Sequence, residues 1–324
     1  MIDLNRREFI GYAGTAGIAW GILSMCPPGT VKAQVPKRKM TMNLVCGAIG
    51  VSANQREAID LAARHGFESV EANGAYLASL ADDQLRELKE FMKQKGIEFG
   101  AAGLPVDFRQ DETRFAEGIK GLPKIAAGLQ RAGVYRMSTW IMPCHDTLTY
   151  LANFRQHAAR LREVARILQD HRIRLGLEYV GPKTLWSSKR YPFLHTMAET
   201  KDLMLEIGIP NLGFQLDSWH WWNAGETEAD LLSLTPEQVV VVDINDAPAG
   251  IARDQQVDNR RELPCATGVI DIAAFMNALN RIGYDGPVRA EPFNKALNAL
   301  PKEEAVAATA KAVKQAFATV RSIP

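Results

Sequence analysis

From residue 42 onward the chain alternates between short apolar runs and longer stretches in which apolar residues return every three or four positions. The short runs fall at 42–48, 67–72, 97–103, 134–140, 174–179, 212–217, 239–244 and 288–291. Their length and near-continuous apolar character suit strands buried on both faces. Between them, 55–65, 82–95, 112–132, 148–171, 194–207, 226–234, 272–282 and 302–320 carry helical spacing, as in Ala58, Ile59, Leu61 and Ala62. Strand–helix pairs in unbroken order predict a parallel sheet covered by helices. Eight of them over about 280 residues fit a closed (β/α)8 TIM barrel, a single α/β domain at 42–324. An open doubly wound sheet would carry a Gly-rich phosphate loop after its first strand. Cys46-Gly47-Ala48-Ile49-Gly50 offers only two separated glycines there.

The first 33 residues break the pattern. Arg6-Arg7 precede an apolar stretch from Phe9 to Leu23, diluted by four glycines, and Val31-Lys32-Ala33 supplies a small-residue end. A charged start, short apolar middle and cleavable end have the order of an export signal, and the paired arginines resemble the twin-arginine signal of bacteria. The resemblance implies the twin-arginine export machinery as a partner and a periplasmic or otherwise exported mature protein. Fifteen residues are short for a bilayer span, which needs roughly 20, so no stable membrane anchor is expected. Residues 34–41 read as a linker. Residues 1–33 hold three basic and two acidic side chains, so the remaining body has 35 of each. A neutral body lacks the electrostatic footprint of a nucleic-acid binder and directs attention to small, weakly charged substrates. Cys46, Cys144 and Cys265 are widely spaced and odd in number, which argues against a disulfide framework.

Barrel enzymes draw their chemistry from the C-terminal ends of the strands. Here the last four predicted strands each close on a carboxylate: Glu178, Asp217, Asp243 and Glu291. Four such groups in a half-dry cavity repel one another unless a cation lies between them. The expected cofactor is therefore one divalent metal ion. An all-oxygen set favours Mn²⁺ or Mg²⁺, with Zn²⁺ or Co²⁺ as alternatives. Asp246 lies close by, but strand alternation places it differently.

The segments Gly176-Leu177-Glu178-Tyr179, Leu216-Asp217-Ser218-Trp219-His220, Asp243-Ile244-Asn245-Asp246 and Arg289-Ala290-Glu291-Pro292-Phe293 together resemble the xylose isomerase-like TIM barrel superfamily. That group, of AP endonuclease family 2 type, includes sugar isomerases, keto-sugar epimerases, inosose dehydratases and abasic-site nucleases. The resemblance spans residues 42–320. It implies Glu178, Asp217, Asp243 and Glu291 as metal ligands, Glu178 and Glu291 as the acid–base pair, and His220 beside the substrate as a third catalytic residue that binds a substrate hydroxyl or moves its proton. Most epimerase-like members carry histidine where this chain has Asp243, so the set here is all carboxylate.

Around these ends, Trp186, Trp219, His145, Glu71 and Arg253 are candidates for substrate binding, since indole faces complement the C–H faces of sugars. Trp140, Trp221 and Trp222 belong to the same aromatic group, and Arg260 and Arg261 share a long loop with Arg253. The expected activity is a metal-dependent sugar isomerase or epimerase working through an enediolate. The alternatives are a lyase or dehydratase of a keto-sugar or keto-glycoside, and an exported sugar-binding protein without turnover. Abasic-site cleavage fits poorly with six histidines and a neutral body. The substrate partner is a carbohydrate; the pattern leaves homo-oligomerisation open.

The export reading has a direct check. Replacing Arg6 and Arg7 together with lysine should hold the protein in the cytoplasm on cell fractionation; unchanged export would rule out the twin-arginine route.

Overall fold

The computed structural model describes residues 38–322. The signal expected at 1–33 and the first part of the linker lie outside them. Eight strand positions form the barrel: β1 (Thr41–Leu44), β2 (Ser69–Val70), β3 in two pieces (Glu98–Phe99 and Ala102–Gly103), β4 (Arg136–Trp140), β5 (Arg174–Glu178), β6 (Leu212–Asp217), β7 (Val239–Ile244) and β8 (Pro287–Ala290). All pair in parallel, with β1 joining β8, so the first and last strands meet. The split strand closes the ring: Glu98–Phe99 pairs with β2 and Ala102–Gly103 with β4. The predicted α/β TIM barrel is therefore the fold observed.

Strand alternation sorts the side chains. Leu175, Leu177, Phe214, Leu216, Val242 and Val288 join the apolar core with the surrounding helices. Their neighbours in sequence, among them Gly176, Glu178, Gln215, Asp217, Asp243 and Arg289, turn the other way, into the barrel. Crowding inside is severe: a Cβ at Gly213 would stand 2.6 Å from the Gln238 carbonyl oxygen, so only glycine lets β6 and β7 approach.

The helices begin where sequence chemistry lets them. Asn54, Asp111, Thr149, Thr196 and Asp271 each accept a backbone N–H of the first turn. Several boundaries differ from expectation. The first strand stops at Leu44, because the apolar residues after it leave the sheet; Val45, Gly47 and Ala48 line the cavity at the mouth. The linker expected to reach 41 ends sooner, since Met40 is buried and Arg38 pairs with Glu68 at 2.9 Å. The helix expected at 226–234 is Glu228–Leu232, because Glu226 is drawn away to accept the Met197 N–H at 2.6 Å and the Tyr179 hydroxyl. Short helices at Lys183–Trp186 and Ser218–Asn223 and a Cys144–His145/Tyr191–Pro192 ladder had no periodic signal. The described cysteines are free thiols, and no described helix is long and apolar enough to cross a membrane.

The long loop after β7 is tied down by Asp246. Its main chain bridges Glu262, and its carboxylate accepts the N–H groups of Ala247, Thr267, Gly268 and Ile270 at 2.8–3.0 Å. This loop carries Asp258 and Arg261 back over the mouth. Asp246→Ala strands four backbone donors, two of them buried, and should cost about 3 kcal/mol, read as a lower denaturant midpoint. An unchanged midpoint would show that the loop is held by other means.

Candidate metal centre

Strand register assembles the site. Asp217 pairs with Asp243 across β6 and β7, and Asp243 pairs with Arg289 across β7 and β8. Laterally paired residues share a face, so one row holds two carboxylates and a guanidinium. Glu178 closes β5, and Glu291 directly follows β8. One ligand atom from each of Glu178, Asp217, Asp243 and Glu291 lies within 4.8 Å of the others, and Glu178, Asp217 and His220 form a second such group. Asp217 also caps Ser218–Asn223, accepting the Trp219 N–H at 2.7 Å. That single turn returns His220 to the cluster, where its Nε2 stands 3.8 Å from Glu178 Oε1. Gly181 makes room for it. A Cβ there would stand 2.5 Å from the His220 carbonyl oxygen, while the Gly181 N–H donates to His220 Nδ1 at 3.3 Å.

Two arginines and an asparagine hold the ring together. Arg261 donates to Asp217 Oδ2 at 2.7 Å, Asp258 at 2.9 Å and Glu291 at 3.3 Å, and its guanidinium lies between the Trp219 and Phe293 rings. Arg289 donates twice to Asp243, whose Oδ2 also accepts from Gln215 at 2.8 Å. Asn245, fully buried, donates to both oxygens of Asp217 and accepts the Glu291 N–H at 2.9 Å.

Burial dominates the electrostatics. It holds the Glu178 carboxyl well above its usual range, helped by Glu291, Asp243 and Asp217. It pushes Asp217 up to about 7 against the pull of Arg261. Glu291 also rises to about 7, through burial and then the charge of Asp243. His220 falls to about 3, through burial and then Arg261, and is neutral at ordinary pH.

These residues fit a divalent cation. Four carboxylates stand against two guanidiniums, an excess of at least two negative charges when all are ionised. Glu178 Oε1 is buried without a hydrogen-bond partner. An unpaired carboxylate oxygen facing other carboxylates is what a cation would satisfy. Asp217 and Asp243 differ from Glu178, because both oxygens of each already accept hydrogen bonds, those of Asp243 from Arg289 and Gln215.

The cluster forms part of the lining of a cavity of about 710 Å³ at the barrel mouth. Of the sequence candidates, Glu178, Glu291, His220 and Glu71 line it. Asp217 and Asp243 lie behind that surface, fully buried. Trp219 is also fully buried, packed beneath Arg261, because the turn after Asp217 points it into the core. Trp186 stacks on His195 at 4.7 Å and Arg253 covers Trp222, both beside a separate surface pocket. His145 lines a neighbouring cavity. The indole that does face the central cavity is Trp140, joined by Arg109 and Phe293. Sequence reading passed over Gln215, Asn245, Asp258 and the role of Arg289. Gln215 and Arg289 were within its reach, each lying two residues before a carboxylate and hence on the same face of its strand.

A barrel with such a ring at its mouth defines a class, and sequence comparison agrees. The profile of the xylose isomerase-like TIM barrel family matches residues 59–316, and the chain belongs to that family. It is similar to an inosose isomerase of Bacillus velezensis, 23% identical over 261 residues, covering 79% of this chain and 89% of the relative. It is also similar to a ketose 3-epimerase of Arthrobacter globiformis, 30% identical over 156 residues, covering 47% of this chain and 45% of the relative. Among solved structures, a xylose isomerase domain protein from Alicyclobacillus acidocaldarius superposes with a TM-score of 0.76 at 31% identity, over 86% of this chain and 99% of the other.

The raised carboxyls set a pH dependence. Asp217 and Glu291 hold protons more tightly when folded, at about 7 against roughly 4 unfolded. Their contribution to stability is fully present below the unfolded values and is lost as pH rises through the folded ones. Chelator-treated protein should therefore lose denaturant resistance between about pH 4 and pH 7. The Asp217→Asn, Glu291→Gln double variant should show a flatter profile. An equal slope in both proteins would remove these two groups as the cause.

Proposed function

We propose that the protein is a divalent-metal-dependent sugar isomerase or epimerase that moves a proton through an enediolate, with Glu178 and Glu291 as the acid–base pair. The observation that carries this reading is the pair itself. Two carboxyls, Glu178 held well above its usual range by burial and the partly buried Glu291 raised to about 7, come from strands on either side of the ligand-bearing β6 and β7. Carboxyls that repel one another release their protons in separate steps, so near neutral pH one is an acid while the other is a base. A sugar carbon between them could lose a proton to one face and regain one from the other.

Glu178, Asp217, Asp243 and Glu291 would hold the ion, with His220 also in reach, and an oxygen-rich set suits Mn²⁺ or Mg²⁺. When bound, such an ion polarises a carbonyl and stabilises developing negative charge on oxygen. Arg261 already holds Asp217 and Glu291 and must share those oxygens. The neutral His220 ring meets two donors, the Gly181 N–H at Nδ1 and Arg261 Nη2 at Nε2, and accepts from one of them at a time. Arg261 Nη2 stands 3.2 Å from His220 Nε2 and also donates to Asp258 Oδ1 at 2.9 Å.

Relatives named as an inosose isomerase and a ketose 3-epimerase support a polyol or keto-sugar as the substrate class. The test is turnover of keto-sugars in deuterated water. The product should keep the substrate's skeleton and gain solvent deuterium beside the carbonyl. Glu178→Gln and Glu291→Gln should each lower kcat by about three orders of magnitude. Product without deuterium would point to a hydride shift instead, and loss of water or an aglycone would mark a lyase.

A further inference from the structure

A second cavity, of about 310 Å³, adjoins the first and shares Arg109, Trp140 and Met142 with it. That volume is at the small end of ligand sites. Asn153 and His157, one turn apart on the helix Tyr150–Asp170, line it and are 2% and 3% exposed. His157 Nδ1 donates to the Asn153 carbonyl oxygen at 2.9 Å, so Nε2 is a bare acceptor. Burial pushes the imidazole down to about 4, so it stays neutral. Neither His157 Nε2 nor Asn153 Oδ1 has a hydrogen-bond partner. Each orphaned acceptor carries a desolvation penalty that an apolar side chain would avoid.

What these two buried acceptors lack is a donor, not a counter-charge. Arg109 is paired with Asp107 at 3.2 Å and Lys189 with Asp146 at 3.0 Å. His145 accepts the Thr147 and Leu148 N–H groups on Nδ1, which leaves a donor on Nε2. Unmet acceptors, neutralised cations and a half-exposed indole at the junction suit a hydroxyl-bearing ring better than a phosphate or carboxylate. We propose that the second cavity is a subsite for a neutral, hydroxyl-rich ring joined to the sugar in the metal cavity, so that the substrate is a disaccharide or other glycoside. This rests on the reading of the first cavity as a sugar site.

Calorimetric titration of the metal-loaded full chain with glucose, galactose, maltose, cellobiose, lactose and trehalose tests it. At least one disaccharide should bind about tenfold or more tightly than its component monosaccharides. His157→Leu and Asn153→Leu should each erase that preference without weakening monosaccharide binding, and their thermal midpoints should match or exceed the parent's. No disaccharide preference, or a preference that both variants retain, overturns the subsite. Solvent-deuterium exchange into monosaccharides without that preference removes the second site and leaves the proposed reaction standing. A variant-sensitive disaccharide preference without exchange does the reverse.

Discussion

The structure is organised around a problem of charge. Strand ends at β5, β6, β7 and β8 bring Glu178, Asp217, Asp243 and Glu291 to one spot, largely out of water. Ionised together and unbalanced, they would oppose folding. The protein relieves the repulsion in several ways at once. Arg289 and Gln215 satisfy Asp243, Arg261 and Asn245 satisfy Asp217, and burial raises the proton affinity of Glu178 and Glu291 above the usual carboxylate range. One oxygen, Glu178 Oε1, is left unsatisfied, and that incomplete balance is what makes the ring a site rather than only a buried ion-pair network.

The balance depends on a loop. Arg261 lies in the segment between β7 and the helix Ile272–Ile282, and it reaches the ring because Asp246 gathers four backbone donors from that segment. The connection runs from a strand end, through the loop's hydrogen bonds, to the charge state of the cavity. Asp258 and the Phe293 ring fix the guanidinium from two further directions. The arginine therefore acts both as a counter-charge to the carboxylates and as a wall of the space a ligand would enter.

Polarity is distributed along the mouth with the same logic. The carboxylate side, from β5 to β8, carries the charge. The β4 side carries Trp140, Arg109, His157 and Asn153, with cations already neutralised. Antiparallel pairing of Cys144–His145 with Tyr191–Pro192 ties together the loops after β4 and β5 on that side.

Much of this was legible in the residues. Apolar periodicity defined eight strand–helix units, and the carboxylate that closes each of the last four strands marked the ring, because strand spacing and helix spacing are local properties of the chain. Loops were harder. Trp186, Trp219 and Arg253 were expected at the mouth, yet Trp219 is buried beneath the site and the other two serve a surface pocket, since a residue in an irregular segment takes its direction from distant contacts. The partners of the ring were equally hidden: Arg261 meets Asp217 across 44 positions and Arg289 meets Asp243 across 46. The sequence by itself determined which strands end in charge. Only the closure of the barrel decided which cation answers each carboxylate and which oxygen goes unanswered, because those pairings depend on strand register and loop path, which no local pattern encodes.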